Sequence, residues 1–317
     1  QTIVGDHDPV VKKRALDALS RWVPQLWQRN IKAGHWSPFS HPQMIAQALT
    51  EFVEHVDGAP APRGMLRAQV GRSRGPYGDT LVSVTGGGSG IGRATALAFA
   101  AQGAEVVVSD IDAATARDTA AQIDAGGGVA HAYQLDVADA AAVERFAARV
   151  CADHGVPDVV VNNASIGHWG KFLDTPAEQY ARVLDVNFGG VVNCCRSFAR
   201  RLVDRGTGGH IVNAASVAAY SPSQSMNAYT TSKAAVFMFS DCLRAELTSA
   251  GVGLTTICPG MTDTGIIDTT RFDVPADQRD KVEQIRAATK KVFVARRYGP
   301  EKVARAIVAA VDKNQSI

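Results

Sequence analysis

The 317-residue sequence lacks a Cys-x-x-Cys pair, an apolar run long enough to cross a bilayer and an excess of either charge, and its first residues are not expected to form a signal peptide. The first three absences each bear on a class of protein. The five cysteines, Cys151, Cys194, Cys195, Cys242 and Cys258, are odd in number, and three lie in apolar runs. Neither a disulfide framework nor a thiolate metal site is indicated, so reduced thiols in a cytoplasmic protein, with no metal, are expected. A membrane helix needs about 18 or more consecutive apolar residues, and none occurs. With 33 Lys+Arg against 31 Asp+Glu, the net charge of +2 makes no case for nucleic acid or an anionic membrane as partner. Arg63, Arg67, Arg72 and Arg74 do cluster, but among Gly and Pro with no aromatic between them, which reads as a solvated linker. No repeat of solenoid period is present. The first residue is Gln1, not methionine, so a longer parent protein is expected.

What is present divides at the Pro/Gly/Arg-rich stretch "GAPAPRGMLRAQVGRSRGPYG" (58–78). Residues 1–58 form one region, 59–78 the linker, and 79–317 the larger region. In the larger one, strand-like runs occur at 80–84, 105–109, 129–134, 158–162, 210–214 and 253–258. Helix-period segments alternate with them, as at 139–154. This rhythm predicts an α/β fold, a doubly wound parallel sheet of Rossmann type with helices on both faces.

The first of these strands runs into "TGGGSGIG" (85–92), with a helical pattern from Arg93. Glycines at a strand-to-helix turn allow positive φ and let a pyrophosphate approach the backbone, where the helix supplies free N–H groups. The spacing departs from G-x-G-x-x-G, because Ile91 stands at the sixth position from Gly86. Asp110 closes the second strand near the interval at which a carboxylate accepts the ribose hydroxyls of a dinucleotide. A 2′-phosphate there would meet a repulsion of roughly 1–4 kcal/mol, which favours NAD over NADP. The bland alternative is that Asp110 caps the helix starting near Asp112.

Tyr229 and Lys233 are one helical turn apart and share a face. A phenol needs about 4 kcal/mol of differential stabilisation to act as a base near neutrality, and a nearby ammonium can supply part of it. Tyr229 would then take the proton of an alcohol as hydride leaves the carbon. Ser216, at a strand end, would orient the substrate oxygen.

The motifs "TGGGSGIG", "LDV" (135–137), "NNAS" (162–165), "VNFGG" (186–190), "NAAS" (213–216), "YTTSK" (229–233) and "CPGMTDT" (258–264) together resemble the short-chain dehydrogenases/reductases, over about residues 79–313. Ser165 departs from the family's usual glycine after Asn-Asn-Ala, and a final strand and tail are expected beyond Ile317. The resemblance implies a catalytic set of Ser216, Tyr229, Lys233 and Asn187, the last holding a water that links Lys233 to solvent. It implies cofactor contacts from Gly86, Ser89, Gly90, Ile91, Gly92, Asp110, Asp136, Val137, Asn163, Ala164, Tyr229, Lys233, Pro259, Gly260 and Thr264. It also implies a homodimer or homotetramer. The segment 264–300 should cover the substrate, and its Ile266, Ile267, Phe272, Val282 and Val292 point to a bulky, hydrophobic ligand.

Residues 1–58 resemble the C-terminal end of an α/β-hydrolase of the epoxide-hydrolase kind. Asp8 would match the acid that orients the histidine, and His35 the base that activates water. The nucleophile of such an enzyme lies outside this sequence. The arrangement resembles fusions of an epoxide hydrolase with a short-chain dehydrogenase, whose substrates would be lipid or other hydrophobic epoxides.

Overall fold

The computed structural model describes residues 1–11 and 18–317. The chain opens with two short parallel strands, β1 (Thr2–Gly5) and β2 (Gln28–Ile31). Helices α1 (Pro42–Val56) and α2 (Arg63–Ala68) follow. Six parallel strands then make the central sheet: β3 (Leu81–Thr85), β4 (Glu105–Asp110), β5 (Val129–Gln134), β6 (Val159–Asn162), β8 (Gly209–Ala214) and β9 (Val252–Ile257). Their order is β5-β4-β3-β6-β8-β9, so the strand order reverses between β3 and β6 and leaves a crevice at their carboxyl ends. Each observed strand lies within a residue of its predicted run.

The inner strands β3, β4, β6 and β8 are buried on both faces, and that is why they are rich in Val, Ile and Leu, whereas the edge strand β5 is partly exposed. Alternate side chains serve two separate cores. Leu81, Val107, Val160 and Ile211 face α5 (Ala140–His154), α7 (Gly190–Arg205) and α8 (Asn227–Leu247). Val82, Val84, Val106, Val108 and Val161 face α3 (Gly90–Ala100), α4 (Ala113–Ala125) and α10 (Pro300–Asp312). Fully buried Phe99 and Phe198 anchor the two cores, at about 1.5–3 kcal/mol each. Asp112 and Asp139 cap α4 and α5 by accepting from the amides of Ala114 and Ala142.

The stretch expected to be a solvated linker is partly built into the fold. Arg63, on α2, pairs with Glu105 and donates to the His154 carbonyl. Arg67 lies 2.5 Å from Asp158, which also holds Arg205 at 2.9 Å and accepts from the Leu81 amide at 2.9 Å. Asp158 is 9% exposed, so its charge needs these partners. Composition marked the Gly and Pro around the arginines, but the carboxylates that recruit them are far away in sequence. Arg72 and Arg74 meet Asp79 instead.

Two small elements escaped the pattern reading. β7 (His168–Gly170) pairs in parallel with β10 (Arg271–Asp273), outside the main sheet. Helix α6 (Ala177–Leu184) runs into a π-helical turn at Asp185–Gly189 before α7. Helix α9 (Val282–Ala295) lies in the segment expected to cover the substrate. The cysteines are free; Cys194 and Cys195 are buried, Cys151 and Cys258 half-buried, and Cys242 is exposed. Among the described residues no helix is long and apolar enough to cross a membrane.

Candidate active site

The glycine loop lies between β3 and α3, at the crevice. Gly86 and Gly90 adopt φ of 62° and 52°, which non-glycine residues rarely do. A Cβ on Gly92 would overlap the Gly86 carbonyl, and one on Gly88 would stand 2.8 Å from an Asp110 carboxylate oxygen. Ser89 occupies the N-cap of α3 without a side-chain capping bond, so the first-turn amides remain free to meet an anion. The cradle therefore fits a dinucleotide pyrophosphate.

The loop is braced from β6. Asn163 donates through Nδ2 to the Thr85 and Gly86 carbonyls, each at 3.2 Å. The Thr85 hydroxyl accepts from the amides of Asn163 and Ala164 at 3.1 and 3.2 Å. Asp110 accepts from the Gly88 amide at 2.9 Å and from the Asp112 amide at 3.1 Å. The capping role belongs to Asp112 itself, and Asp110 faces the glycine loop. Arg93 is held by Asp118 at 2.9 Å and by the Thr119 hydroxyl at 3.1 Å.

Of the remaining expected cofactor residues, Asp136 and Val137 follow β5, Pro259, Gly260 and Thr264 follow β9, and Ile91 lies in the first turn of α3. Asp136 is exposed and caps its own turn through the Ala138 amide. Val137 is buried against Gly190, where a Cβ would meet it at 2.6 Å. Pro259 accepts from the Val217 amide at 3.1 Å, and Gly260 is open to solvent. Thr264 arches over the loop, 3.4 Å from where a Gly90 Cβ would lie. Ile91 is half-buried against the α3 side of the core.

Ser216, Tyr229 and Lys233 converge at the ends of β8 and α8. Lys233 is 2% exposed and donates to the Ala214 carbonyl at 2.9 Å, with its Nζ 5.7 Å from the Tyr229 ring centre. Burial pushes its pKa down to about 8. Burial pushes the Tyr229 phenol up, and the neighbouring Ser216 hydroxyl pulls it partly back. The Ser216 hydroxyl accepts from the Ala218 amide at 3.1 Å and faces the Pro259 carbonyl at 3.5 Å.

Asn187 is fully buried on the π-helical turn, and its amide is saturated. Nδ2 donates to the Ile166 carbonyl and the Ser232 hydroxyl, each at 3.1 Å. Oδ1 accepts from the Ser165 hydroxyl at 3.1 Å and the Ile166 amide at 2.8 Å. Both amide hydrogens and both lone pairs are thus used within the protein. Ser165, the departure from the family pattern, is one of those partners. Ser232 in turn donates to the Tyr229 carbonyl at 2.7 Å, a link no sequence signal announced.

Asp8 and His35 do meet. His35 Nδ1 lies 3.0 and 3.1 Å from the two Asp8 oxygens, and Asp8 also accepts from the Val10 and Val11 amides. The Val11 amide leads the causes that hold the Asp8 carboxyl below its ordinary range, followed by the His35 bond and then the Val10 amide, with burial opposing them.

Elsewhere, a cavity of about 610 Å³ opens beside the edge strand β9, lined in part by Cys258, Pro259, Met261 and Tyr298. It borders the site without including Ser216, Tyr229 or Lys233. Among the described residues, Glu105, His131 and His154 place three ligand-type atoms within 4.8 Å, at the sheet end opposite the glycine loop. The imidazoles stack at 3.9 Å and 19°, so their lone pairs run side by side, and Arg63 already holds Glu105. This suits a hydrogen-bonded ion pair better than a cation.

Residues 80–274 match the family model described as short chain dehydrogenase. The chain is 63% identical over 317 residues to the Mycobacterium tuberculosis protein named "Probable oxidoreductase EphD", covering 100% of this chain and 54% of that protein. It thus spans about half the length of that relative. It is 36% identical over 230 residues to "Short-chain reductase protein NovJ" of Streptomyces niveus, covering 73% and 86% of the two chains. A solved short-chain dehydrogenase/reductase from Burkholderia phymatum in complex with NAD matches with a TM-score of 0.70 at 29% identity, over 76% of this chain and 88% of that one.

Proposed function

This chain belongs to the short-chain dehydrogenase family, and on that premise we propose that it transfers hydride between NAD and a hydrophobic secondary alcohol or ketone. The observation that carries the reading is the convergence of Ser216, Tyr229 and Lys233 beside a glycine cradle whose helix amides are uncapped. When bound, the nicotinamide ring supplies the hydride acceptor or donor.

The chain's own residues would do the rest. The Ser216 hydroxyl orients the substrate oxygen, and Tyr229 takes or returns its proton. Lys233, buried and held by Ala214, places a positive charge near the phenol as it loses that proton. Asn187 acts as a positioning residue, fixing the 165–166 turn to the Tyr229 helix through Ser232. A water leading to Lys233 would be held by the backbone of its turn, since its amide is saturated.

NAD over NADP is supported by Asp110 facing the glycine loop and by Arg93 being committed to Asp118. A hydrophobic substrate is supported by the apolar content of 264–300. A homodimer or homotetramer and a cytoplasmic setting complete the proposal by family resemblance.

A second reading concerns residues 1–58, which we take as the acid–base end of an α/β-hydrolase domain, joined through 59–78 to the dehydrogenase domain at 79–317. The Asp8–His35 pair supports it: the carboxylate receives a ring nitrogen at the ends of two adjacent parallel strands. The longer protein would then open a lipid-like epoxide to a diol and oxidise a hydroxyl.

The test is NADH formation from long-chain vicinal diols and secondary alcohols, run beside Tyr229→Phe. Turnover is expected from the parent and a loss of at least about 100-fold in the variant. NAD binding with no turnover from any alcohol would favour a dinucleotide-binding sensor and overturn the dehydrogenase reading.

A further inference from the structure

β7 and β10 join two distant parts of the chain beside the catalytic helix. β7 follows the Ser165–Ile166 turn that Asn187 holds. Its last residue, Gly170, donates to the Ser225 carbonyl at 2.7 Å and bridges to Met226, just before the helix that carries Tyr229. β10 ends the segment that begins at Thr264 over Gly90. Residues 264–273 therefore arch from the cofactor cradle to the start of the catalytic helix.

What fastens the far end of this arch is specific. His168 is 1% exposed, and its Nε2 lies 3.0 Å from Asp273 Oδ2. The nitrogen facing the carboxylate carries the hydrogen. Asp273 Oδ1 accepts from Arg271 Nε at 3.0 Å, so the carboxylate is engaged on both oxygens. In register beside this pair, Trp169 stacks on Phe272 at 5.9 Å and 27°. Arg286 covers the other face of the arch, 4.8 Å from the Phe272 ring centre, and donates to the Asp268 and Thr270 carbonyls. Two β-strands of three residues cannot hold themselves together in water, so the side chains must do it.

We propose that His168 and Asp273 are positioning residues, a buried clasp that holds residues 264–273 over the site and so sets the affinity for the alcohol without touching the reacting atoms. The kinetic half rests on the dehydrogenase reading above; the structural half does not. Loss of a charge-assisted buried hydrogen bond shifts an opening equilibrium roughly tenfold or more.

The test uses the whole chain and Asp273→Asn, with His168→Gln as the conservative variant that keeps a donor. Amide hydrogen exchange is read over 168–170 and 271–273, with 81–92 as the internal reference. Asp273→Asn should speed exchange about tenfold in the first two segments and leave the reference unchanged, with His168→Gln intermediate. With a long-chain secondary alkanol, KM should rise by a similar factor while kcat changes less than about threefold and NAD affinity holds. Unchanged exchange at 168–170 and 271–273 would overturn the clasp, as would acceleration spread equally through 81–92. Faster exchange with unchanged KM would overturn its role in affinity. If the parent turns over no alcohol, the dehydrogenase reading falls and exchange alone judges the clasp. Should Asp273→Asn not fold, exchange in His168→Gln that is faster than the parent's at 168–170 and 271–273 but not at 81–92 supports the clasp, and exchange unchanged there, or accelerated equally in all three segments, overturns it.

Discussion

Replacing Lys233 by methionine should stabilise the fold while removing the activity. The ammonium is 2% exposed, and burial lowers its pKa from 10.5 to about 8. The difference, 10.5 − 8, is about 2.5 pH units, or roughly 3 kcal/mol at 1.36 kcal/mol per unit. That is the cost of keeping the side chain charged in the folded protein at neutral pH. Methionine fills similar volume and removes the cost, but it leaves the Ala214 carbonyl without this donor, a loss of about 1–2 kcal/mol. A net gain of roughly 1–2 kcal/mol remains at pH 7, raising Tm by about 2–6 °C. The sign with pH follows from which state binds the proton. Between about pH 8 and 10.5 the unfolded chain keeps the lysine proton while the folded one has released it, so the parent gains stability as pH rises through that window. Lys233→Met has no such gain, and its advantage of roughly 1–2 kcal/mol should shrink above pH 8 and reverse at about pH 9, at 1.36 kcal/mol per unit. Thermal melts of both proteins in matched buffers across this range, without NAD, measure the difference. A Tm gap that stays constant with pH, or a variant less stable than the parent at pH 7, would refute the buried-charge argument.

Two further outcomes follow from the same geometry. Gly92→Ala should abolish measurable NAD binding with the sheet intact, because its Cβ overlaps the Gly86 carbonyl and crowds Asn163; calorimetric titration with NAD and circular dichroism check the two halves. His210 is buried, and burial together with Arg244 lowers its pKa to about 4, so below its ordinary 6.5 the unfolded chain takes up the proton first. Stability should therefore fall by up to about 3 kcal/mol as pH drops from 6.5 to 4. His210→Gln, which keeps a donor toward Thr255, should flatten that fall in urea titrations, and an unchanged acid slope would count against it.

Local sequence chemistry was enough to place the sheet, the glycine loop and the candidate catalytic side chains. Runs such as "EVVVS" bury on both faces, and glycines between a strand and a helix allow positive φ and close backbone approach, so local residue chemistry was enough for both. Tyr229 and Lys233 were legible because a helix puts one turn's spacing on one face. What lay beyond local pattern was decided by tertiary structure. Arg63 and Arg67 read as solvated among Gly and Pro, yet Glu105 and Asp158, distant in sequence, draw them into the fold. For Asp110 the sequence left capping and the cofactor both open; in the fold Asp112 caps the helix and Asp110 accepts from the Gly88 amide. The direction of Lys233 depends on a carbonyl at the end of β8, and the saturation of Asn187 depends on groups from two other segments. The His168–Asp273 pair joins residues too far apart for any spacing rule to connect. Periodicity reports which way a residue faces, whereas the partner it meets is set only when separate segments pack.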